Sequence, residues 1–403
     1  MSTLNYAAEL NPEQTRAVET IHGPLLIVAG AGSGKTRVIT YRIANMLAQG
    51  IPQNAILALT FTNKAAREMQ HRVRALTGRK MTNLTVSTFH AFGVKVLREH
   101  IHHFGYAPNF TIYDTHDQMA LIRETAGEVG FDLEHTSAWS VLSMFQTARL
   151  AGTVNDLGSA YRKLYREYRA HLRTYNAVDF DDLILLPVQV MEEHPEVREA
   201  LHARFRYLLV DEFQDTSTAQ YRFMKLLAGP EGNVCIVGDD DQSIYGWRGA
   251  RVANMQRLRE DFQGVQLFRL EQNYRSTAAI LAAANHLISH NQERLGKDLW
   301  TSSGAGEPVR VYRAYSEHDE AAFVVDQVAA WIDAGGRPSD SAVLYRSNAQ
   351  SRVLEERLIA RGLPYRVYGG LRFFERAEVK DALAYLRLVD NPADDAAFER
   401  VVN

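Results

Sequence analysis

The sequence predicts an α/β protein with a parallel sheet, interrupted by a helical insertion and followed by part of a second α/β domain. Three observations predict it. Short apolar runs ending in Gly or Asp alternate with helical stretches, the pattern of strands joined by helical crossovers. From about His90 to Arg206 the alternation stops and helical periodicity takes over. After Tyr274 the alternation begins again.

The strand candidates of the first domain are Leu25–Val28, Ile56–Thr60, Thr85–Ser87, Tyr207–Val210, Val234–Val237 and Gln266–Leu270. Within the insertion, Tyr161, Leu164, Tyr165, Tyr168, Leu172 and Tyr175 fall at i, i+3, i+4, i+7 spacing, one apolar stripe of a helix. In the second α/β pattern Val309–Tyr312 and Ala342–Tyr345 read as strands, and Glu320–Trp331 and Gln350–Leu358 as helices. No helix stop signal marks Val401-Val-Asn403, so that end is expected to be an interruption rather than a finished domain.

A chain of 403 residues is expected to hold two or three domains. With 46% hydrophobic and 23% charged residues it has the balance of a soluble globular protein, which excludes a disordered chain. The net charge of −3 carries no global signal for nucleic acid, so any such contact must rest on local positive charge. A single cysteine, Cys235, excludes an internal disulfide and fits a reducing compartment. Neither a signal peptide nor an apolar run of roughly 18 residues is present, so no membrane and a cytoplasmic location are expected.

The chemistry concentrates in Ala29-Gly-Ala-Gly-Ser-Gly-Lys-Thr36, between an apolar strand and a helix whose apolar positions are Val38, Ile39, Ile43 and Leu47. Glycines let backbone N–H groups converge on phosphate oxygens, and the helix N-terminus adds partial positive charge. Ala29, Gly30, Ala31, Gly32, Ser33, Gly34, Lys35, Thr36 and the following Arg37 are therefore the expected contacts of ATP. Lys35 is expected to reach the β- and γ-phosphates, and the Thr36 hydroxyl to ligate Mg²⁺. Ala29 departs from the usual first glycine. The partner segment is Tyr207-Leu-Leu-Val-Asp-Glu212, an apolar strand ending in two carboxylates. Asp211 is expected to hold Mg²⁺ through water and Glu212 to be the general base for water; alone, the pair would read as a solvated strand end, and the phosphate loop beside it turns the reading.

With Asp211-Glu-Phe-Gln-Asp215 the chain resembles the UvrD/Rep/PcrA family of superfamily-one DNA helicases, across essentially its whole length. The family tolerates Ala at the first loop position. Leu10-Asn-Pro-Glu-Gln14 is similar to its adenine-reading segment, which implies that Gln14 contacts the base. Thr60-Phe-Thr-Asn-Lys-Ala-Ala66, Ser87-Thr-Phe-His90 and Gly238-Asp-Asp-Asp-Gln-Ser-Ile-Tyr-Gly-Trp-Arg248 resemble its DNA-contacting and coupling segments. Glu271-Gln-Asn-Tyr-Arg-Ser276 resembles the segment placing Tyr274 on adenine and Arg275 on the γ-phosphate. Tyr345-Arg-Ser-Asn-Ala-Gln-Ser-Arg352 and Gly369-Gly-Leu-Arg-Phe-Phe-Glu-Arg376 resemble parts of a second motor domain and its exit.

The resemblance implies Lys35, Asp211, Glu212, Gln242 and Arg275 as catalytic residues, and Phe61, Asn63, Thr88, His90, Tyr245, Trp247, Arg248, Arg346 and Asn348 as DNA contacts. It implies a RecA-like P-loop motor domain in residues 1–89 and 207–277, with residues 90–206 as the helical insertion. Residues 278–375 would be the N-terminal part of a second RecA-like domain, and residues 376–403 the start of an accessory helical domain. The implied activity is 3′→5′ translocation on single-stranded DNA and unwinding at single/double-strand junctions, as a monomer or weak dimer beside repair or replication proteins.

Read from the residues themselves, Gln242 suits a sensor of γ-phosphate loss, and Arg275 either an arginine finger or a surface ion pair. Phe61, Tyr245 and Trp247, aromatics in polar or Gly-bearing loops, read as base-stacking platforms or as local packing. Lys64, Arg67, Arg72, Arg74, Arg79 and Lys80 form a basic run that suits a DNA backbone. The basic positions Arg162, Lys163, Arg166, Arg169 and Arg173 read as a solvated helix face or a duplex contact. His100, His102 and His103 lack cysteines and finger spacing, so a structural or surface role is expected of them. Two other readings stay open: a P-loop ATPase of transporter or recombinase type, and a nucleotide-gated DNA-binding module that does not unwind.

Overall fold

The computed structural model describes residues 9–292, 294–368 and 377–402. Its strands are β1 Leu25–Ala29, β2 Ile56–Thr60, β3 Thr85–Thr88, β4 Thr111–Ile112, β5 Ala177–Val178, β6 Tyr207–Val210, β7 Val234–Gly238 and β8 Gln266–Leu270. The helices up to the insertion's end are α1 Pro12–Glu19, α2 Lys35–Ala48, α3 Asn63–Thr77, α4 Phe89–His100, α5 Thr115–Val129, α6 Ala138–Ala151, α7 Ser159–Thr174, α8 Asp182–Glu193 and α9 Pro195–Arg204. After it come α10 Thr218–Leu227, α11 Ala253–Asp261, α12 Ala278–Ile288, α13 Glu317–Asp333, α14 Ser351–Ala360, α15 Ala377–Asp390 and α16 Asp395–Val402.

Six strands form one parallel sheet in the order β3, β2, β6, β7, β1, β8. Helices cover both faces, which is why β1, β2, β6 and β7 are apolar and buried along their whole length. Alternate residues serve opposite faces. Leu26, Val28, Leu57 and Val210 join Phe92, Val188 and Phe223, from α4, α8 and α10. Leu25, Ile27, Ile56 and Cys235 join Ile39, Ile43 and Met69, from α2 and α3. Because every strand points the same way, the loops after β1, β6, β7 and β8 leave from one edge, where ligands of open parallel sheets bind.

Helices α4 to α9 lie between β3 and β6 in the chain. Of these, α5, α6 and α7 pack a core of their own that includes Tyr113, Leu121, Phe145, Leu164, Tyr168 and Leu172, while α4, α8 and α9 join the core of the large sheet. β4 and β5 pair in parallel, Thr111 with Ala177 and Ile112 with Val178; two-residue strands leave no periodic trace in the sequence. On α7, Leu164, Tyr168 and Leu172 are buried as the spacing predicts. The basic positions of α7 do not form one free face. Arg169 turns inward to Asp182, its Nη1 donating to both carboxylate oxygens at 2.7 and 2.6 Å.

The chain falls into two compact units, one running to Glu307 and including Arg387–Ala396, the other comprising Pro308–Leu386 and the residues from Ala397. In the first, Asn391 donates to Thr111 Oγ1 at 2.9 Å and to the Tyr175 carbonyl at 3.1 Å, which ties that short returning segment to the insertion. In the second, α13 contains the expected helix Glu320–Trp331, α14 contains all of Gln350–Leu358 but Gln350, which precedes it, and the Tyr312 and Phe323 rings stack with centroids 3.9 Å apart.

The expected strands Val309–Tyr312 and Ala342–Tyr345 do not form: both segments are without strand pairing, and Val311 and Leu344 are each 94% exposed. A parallel strand needs a hydrogen-bonded neighbour on its ladder, and among the described residues neither segment has one. The segment Gly369–Arg376 lies outside the described residues. Among those described, no helix is long and apolar enough to cross a membrane.

Candidate nucleotide and nucleic-acid site

The loop after β1 is shaped by glycines that no other residue replaces without strain. Gly32 and Gly34 have φ of 67° and 90°, and a Cβ on Gly32 would lie 2.7 Å from Asn273 Nδ2. Ser33 closes the turn with its hydroxyl donating to the Gly30 carbonyl at 2.8 Å. Helix α2 then starts at Lys35, so its first N–H groups lack intrahelical acceptors and face the loop.

Ala31, Gly32, Gly34, Lys35, Thr36, Arg37, Arg72, Glu212, Gln242, Tyr274 and Arg275 line a cleft of about 420 Å³. The other expected loop contacts do not face it. Ala29 is buried at the strand end, Gly30 packs beneath Leu299, and Ser33 is buried.

Lys35 Nζ is buried and makes no hydrogen bond among the described residues. Its charge is met only at longer range, by Glu212 Oε2 at 3.3 Å and Asp239 Oδ2 at 3.9 Å. An ammonium left without acceptors in a glycine cradle fits the oxygens of a polyphosphate. Glu212 itself sits in the left-handed region, with φ of 51°, directly after Asp211 at the end of β6. Burial first, then the neighbouring Glu212, push Asp211 up to about 7, and the same two causes push Asp215 up to about 6. A dehydrated carboxylate and the Thr36 hydroxyl are hard oxygen donors, the set that suits Mg²⁺.

Gln214 and Gln242 connect the ends of β6 and β7. Gln214 Nε2 donates to Glu212 Oε2 at 2.9 Å while its Oε1 accepts from the Asp239 backbone N–H at 2.9 Å. The Gln242 side-chain amide donates to Asp239 Oδ2, the oxygen nearest Lys35. Gln14 is buried, with Nε2 donating to the Ser33 carbonyl at 2.8 Å and Oε1 accepting from Asn11 N–H at 3.0 Å. The Tyr274 hydroxyl accepts from Asn11 Nδ2 at 2.9 Å, and Arg275 has no ion pair among the described residues.

A second group of residues in the same unit is aromatic. Phe61 and Tyr245 stack with centroids 5.3 Å apart, and Trp247 follows at 6.4 Å and is 75% exposed. The Arg248 guanidinium lies 4.5 Å from the Trp247 ring centre and 5.4 Å from that of Tyr245. Asn63 opens α3 and is exposed. Thr88 caps α4, its hydroxyl accepting from Ala91 N–H at 3.1 Å, and His90 packs against the half-exposed Phe180 at 5.6 Å. Arg346 and Asn348 are exposed in the second unit, at the turn that opens α14.

Residues 10–263 match the UvrD/REP helicase N-terminal domain, and residues 268–403 the UvrD-like helicase C-terminal domain. The chain belongs to the UvrD-like helicase family. It is 46% identical over 403 residues to DNA helicase II of Escherichia coli (strain K12), covering 98% of this chain and 56% of that protein. To ATP-dependent DNA helicase PcrA of Bacillus subtilis (strain 168) it is 44% identical over 408 residues, covering 98% of this chain and 55% of the relative. The chain thus spans just over half the length of the curated relatives it matches.

Several residues that shape this UvrD-like site carried either no assigned role in the sequence or a different one. Asn273 is 2% exposed and donates to the Ala31 carbonyl at 2.6 Å, while its Oδ1 accepts from Arg275 and Ser276 N–H. It was visible within Glu271–Ser276, but only three-dimensional proximity gives it work. Arg72 lines the phosphate cleft and pairs with Glu68 at 2.5 Å, and Arg79 donates to the Leu47 carbonyl, so the basic run is not one continuous track. Lys297 is buried among Asp239, Asp240 and Asp241, with Nζ 2.8 Å from Asp239 Oδ1. A lone lysine in a loop gives no sequence signal for that position.

Proposed function

We propose that this chain is the ATP-hydrolysing, strand-gripping part of a 3′→5′ DNA helicase and single-stranded DNA translocase, serving DNA repair or replication. The observation that carries the reading is the unsatisfied Lys35 ammonium in its glycine cradle, linked through Asp239 and Gln242 to the loop bearing Tyr245 and Trp247.

Lys35, the loop N–H groups of Ala31 to Thr36 and Arg37 bind the phosphates. Thr36 and Asp211 would hold Mg²⁺, which would supply positive charge against the phosphate oxygens. Glu212 takes the proton of the attacking water, and Arg275 stabilises charge on the transferred phosphoryl group. Tyr274 stacks on the adenine, and Gln14 reads its edge by exchanging its bond to the Ser33 carbonyl for the base.

Gln242 releases or regains the terminal phosphate, and the loop that follows moves the aromatic platform. Phe61, Tyr245 and Trp247 stack on bases without sequence preference. Asn63, Thr88, His90, Arg248, Arg346 and Asn348 are assigned to the strand, with Phe180 added beside His90. Single/double-strand junctions are the assigned substrate, with the protein acting as a monomer or weak dimer beside repair or replication proteins.

ATP turnover with and without single-stranded DNA tests the reading. Turnover should rise with DNA, and Lys35→Ala should abolish that rise; unchanged turnover in the variant would remove the site assignment. Trp247→Ala should weaken single-strand affinity by about 1–3 kcal/mol while nucleotide affinity holds.

A second reading, an ATP-binding DNA module that does not unwind, is favoured by Val309–Tyr312 and Ala342–Tyr345, which have no strand pairing among the described residues. Strand displacement on a tailed duplex separates the two.

A further inference from the structure

Away from the phosphate cleft, four imidazoles gather on the surface of the first unit. Helix α4 ends at His100, the turn after it carries His102 and His103, and the corner between α8 and α9 brings in His194 and Glu196. The His103 and His194 ring centroids are 3.8 Å apart, and those of His102 and His103 are 4.3 Å apart. His103, His194 and Glu196 each place one ligand atom within 4.8 Å of the other two. None of these residues lines the nucleotide cleft.

We propose that His103, His194 and Glu196 form a binding site for a divalent transition-metal ion of the zinc, nickel and copper class.

Three comparable groups occur among the described residues, and each is a poorer candidate. Asp239, Asp240 and Asp241 already enclose the Lys297 ammonium, a cation in the place where an ion would sit. The groups Glu124, Glu128, His171 and Asp132, Glu134, His135 contain one imidazole each. Carboxylate-rich, water-exposed groups of that kind do not retain a borderline metal, whereas paired imidazoles do.

The geometry also suits the metal. His194 Nδ1 and Glu196 Oε1 stand 3.1 Å apart. Two ligands at about 2.0–2.2 Å from one ion are separated by about that distance. An ion would therefore replace the hydrogen shared between them, with His103 closing the third position after a side-chain rotation. His102 is exposed beside His103 and within reach of a fourth position.

Neutral imidazole is the form that ligates. The spacing in the sequence hid the site, because His194 follows His103 by some ninety residues and is brought back by the α8–α9 corner. Once bound, the ion would staple the turn after α4 to that corner.

The test is titration of Zn²⁺ into metal-stripped protein near neutral pH with excess Mg²⁺ present, so that hard-oxygen sites are filled. One equivalent should bind, raise the thermal midpoint, and be released at about pH 5 as imidazoles protonate. His103→Ala and His194→Ala should each weaken binding by about tenfold or more. Their thermal midpoints in chelator should match the parent chain, which shows that they fold. The proposal is overturned by the absence of Zn²⁺ binding, by binding that both variants retain, or by binding lost instead in His286→Ala, which breaks the His286–His290 pair at the C-terminal end of α12.

Discussion

Two clusters of buried charge in the first unit use the same residue types to opposite ends. In the insertion, Arg149 donates to both oxygens of Asp179 at 2.8 and 2.7 Å and to Asp182, and Arg169 grips Asp182 from the other side. Tyr168 and two backbone N–H groups add further bonds to the same carboxylates. At the sheet edge Lys35 has two acidic neighbours and not one hydrogen bond among the described residues. A saturated cluster holds structure together; an unsaturated one waits for an acceptor. That difference identifies a binding site more sharply than burial or charge alone.

The contrast breaks first if Arg149→Ala is tolerated. Removing it leaves Asp182 to Arg169 alone and Asp179 with no cation closer than 3.9 Å in a nearly dry interior, at a cost of about 3–5 kcal/mol. Urea unfolding should show that loss, centred on the insertion, with nucleotide affinity much less affected.

Lys35→Ala should do the reverse. Glu212 keeps its Gln214 bond and Asp239 keeps Lys297 at 2.8 Å, so no carboxylate is abandoned. Stability without nucleotide should move by no more than about 1 kcal/mol, while turnover falls by about 100-fold or more. A large loss of stability in this variant would place Lys35 among the structural cations and erase the distinction.

The two clusters also differed in how far the sequence revealed them. The phosphate loop and the Asp211-Glu212 strand end were legible because local geometry alone, strand then turn then helix, dictates their residues. Strands β1, β2, β6 and β7 were legible for a related reason: burial on both faces writes a continuous apolar run. Val309–Tyr312 has β-branched and aromatic residues yet no ladder among the described residues, because pairing depends on a neighbour that a local pattern cannot supply. Arg149 and Asp179 are thirty residues apart, and nothing between them marks the pair. Lys297 and Asn273 were silent for the same reason. Arg169, read as a member of a basic face, points inward because Asp182 is there to receive it.

The smallest effect tests the insertion cluster from within. It holds two arginines against three aspartates, and Asp181 is the one left over. Its Oδ2 is buried without a hydrogen bond, 3.9 Å from Arg149 Nη1. Burial first, then Asp179, raise its pKa to about 7 against the pull of Arg149. Asp182 is the opposite case: burial acts to raise it, but Arg169 and Arg149 prevail and hold it at about 2.

The two neighbours therefore give stability opposite slopes with pH. Between about pH 4 and 7 the unfolded chain releases the Asp181 proton while the folded chain keeps it, so this group makes stability fall as pH rises. Asp182 contributes stability above about pH 4 that is lost as pH falls toward 2. Asp181→Asn removes only the first slope. Relative to the parent chain it should gain nothing near pH 4 and increasingly more toward pH 8, by at most about 4 kcal/mol since one pKa unit is about 1.4 kcal/mol. Thermal midpoints across that range read the gain directly. If the variant is instead less stable at every pH, Asp181 is ionised and paired with Arg149. The insertion cluster then holds a charge that is not fully met, as Lys35 does, and saturation no longer separates the two sites.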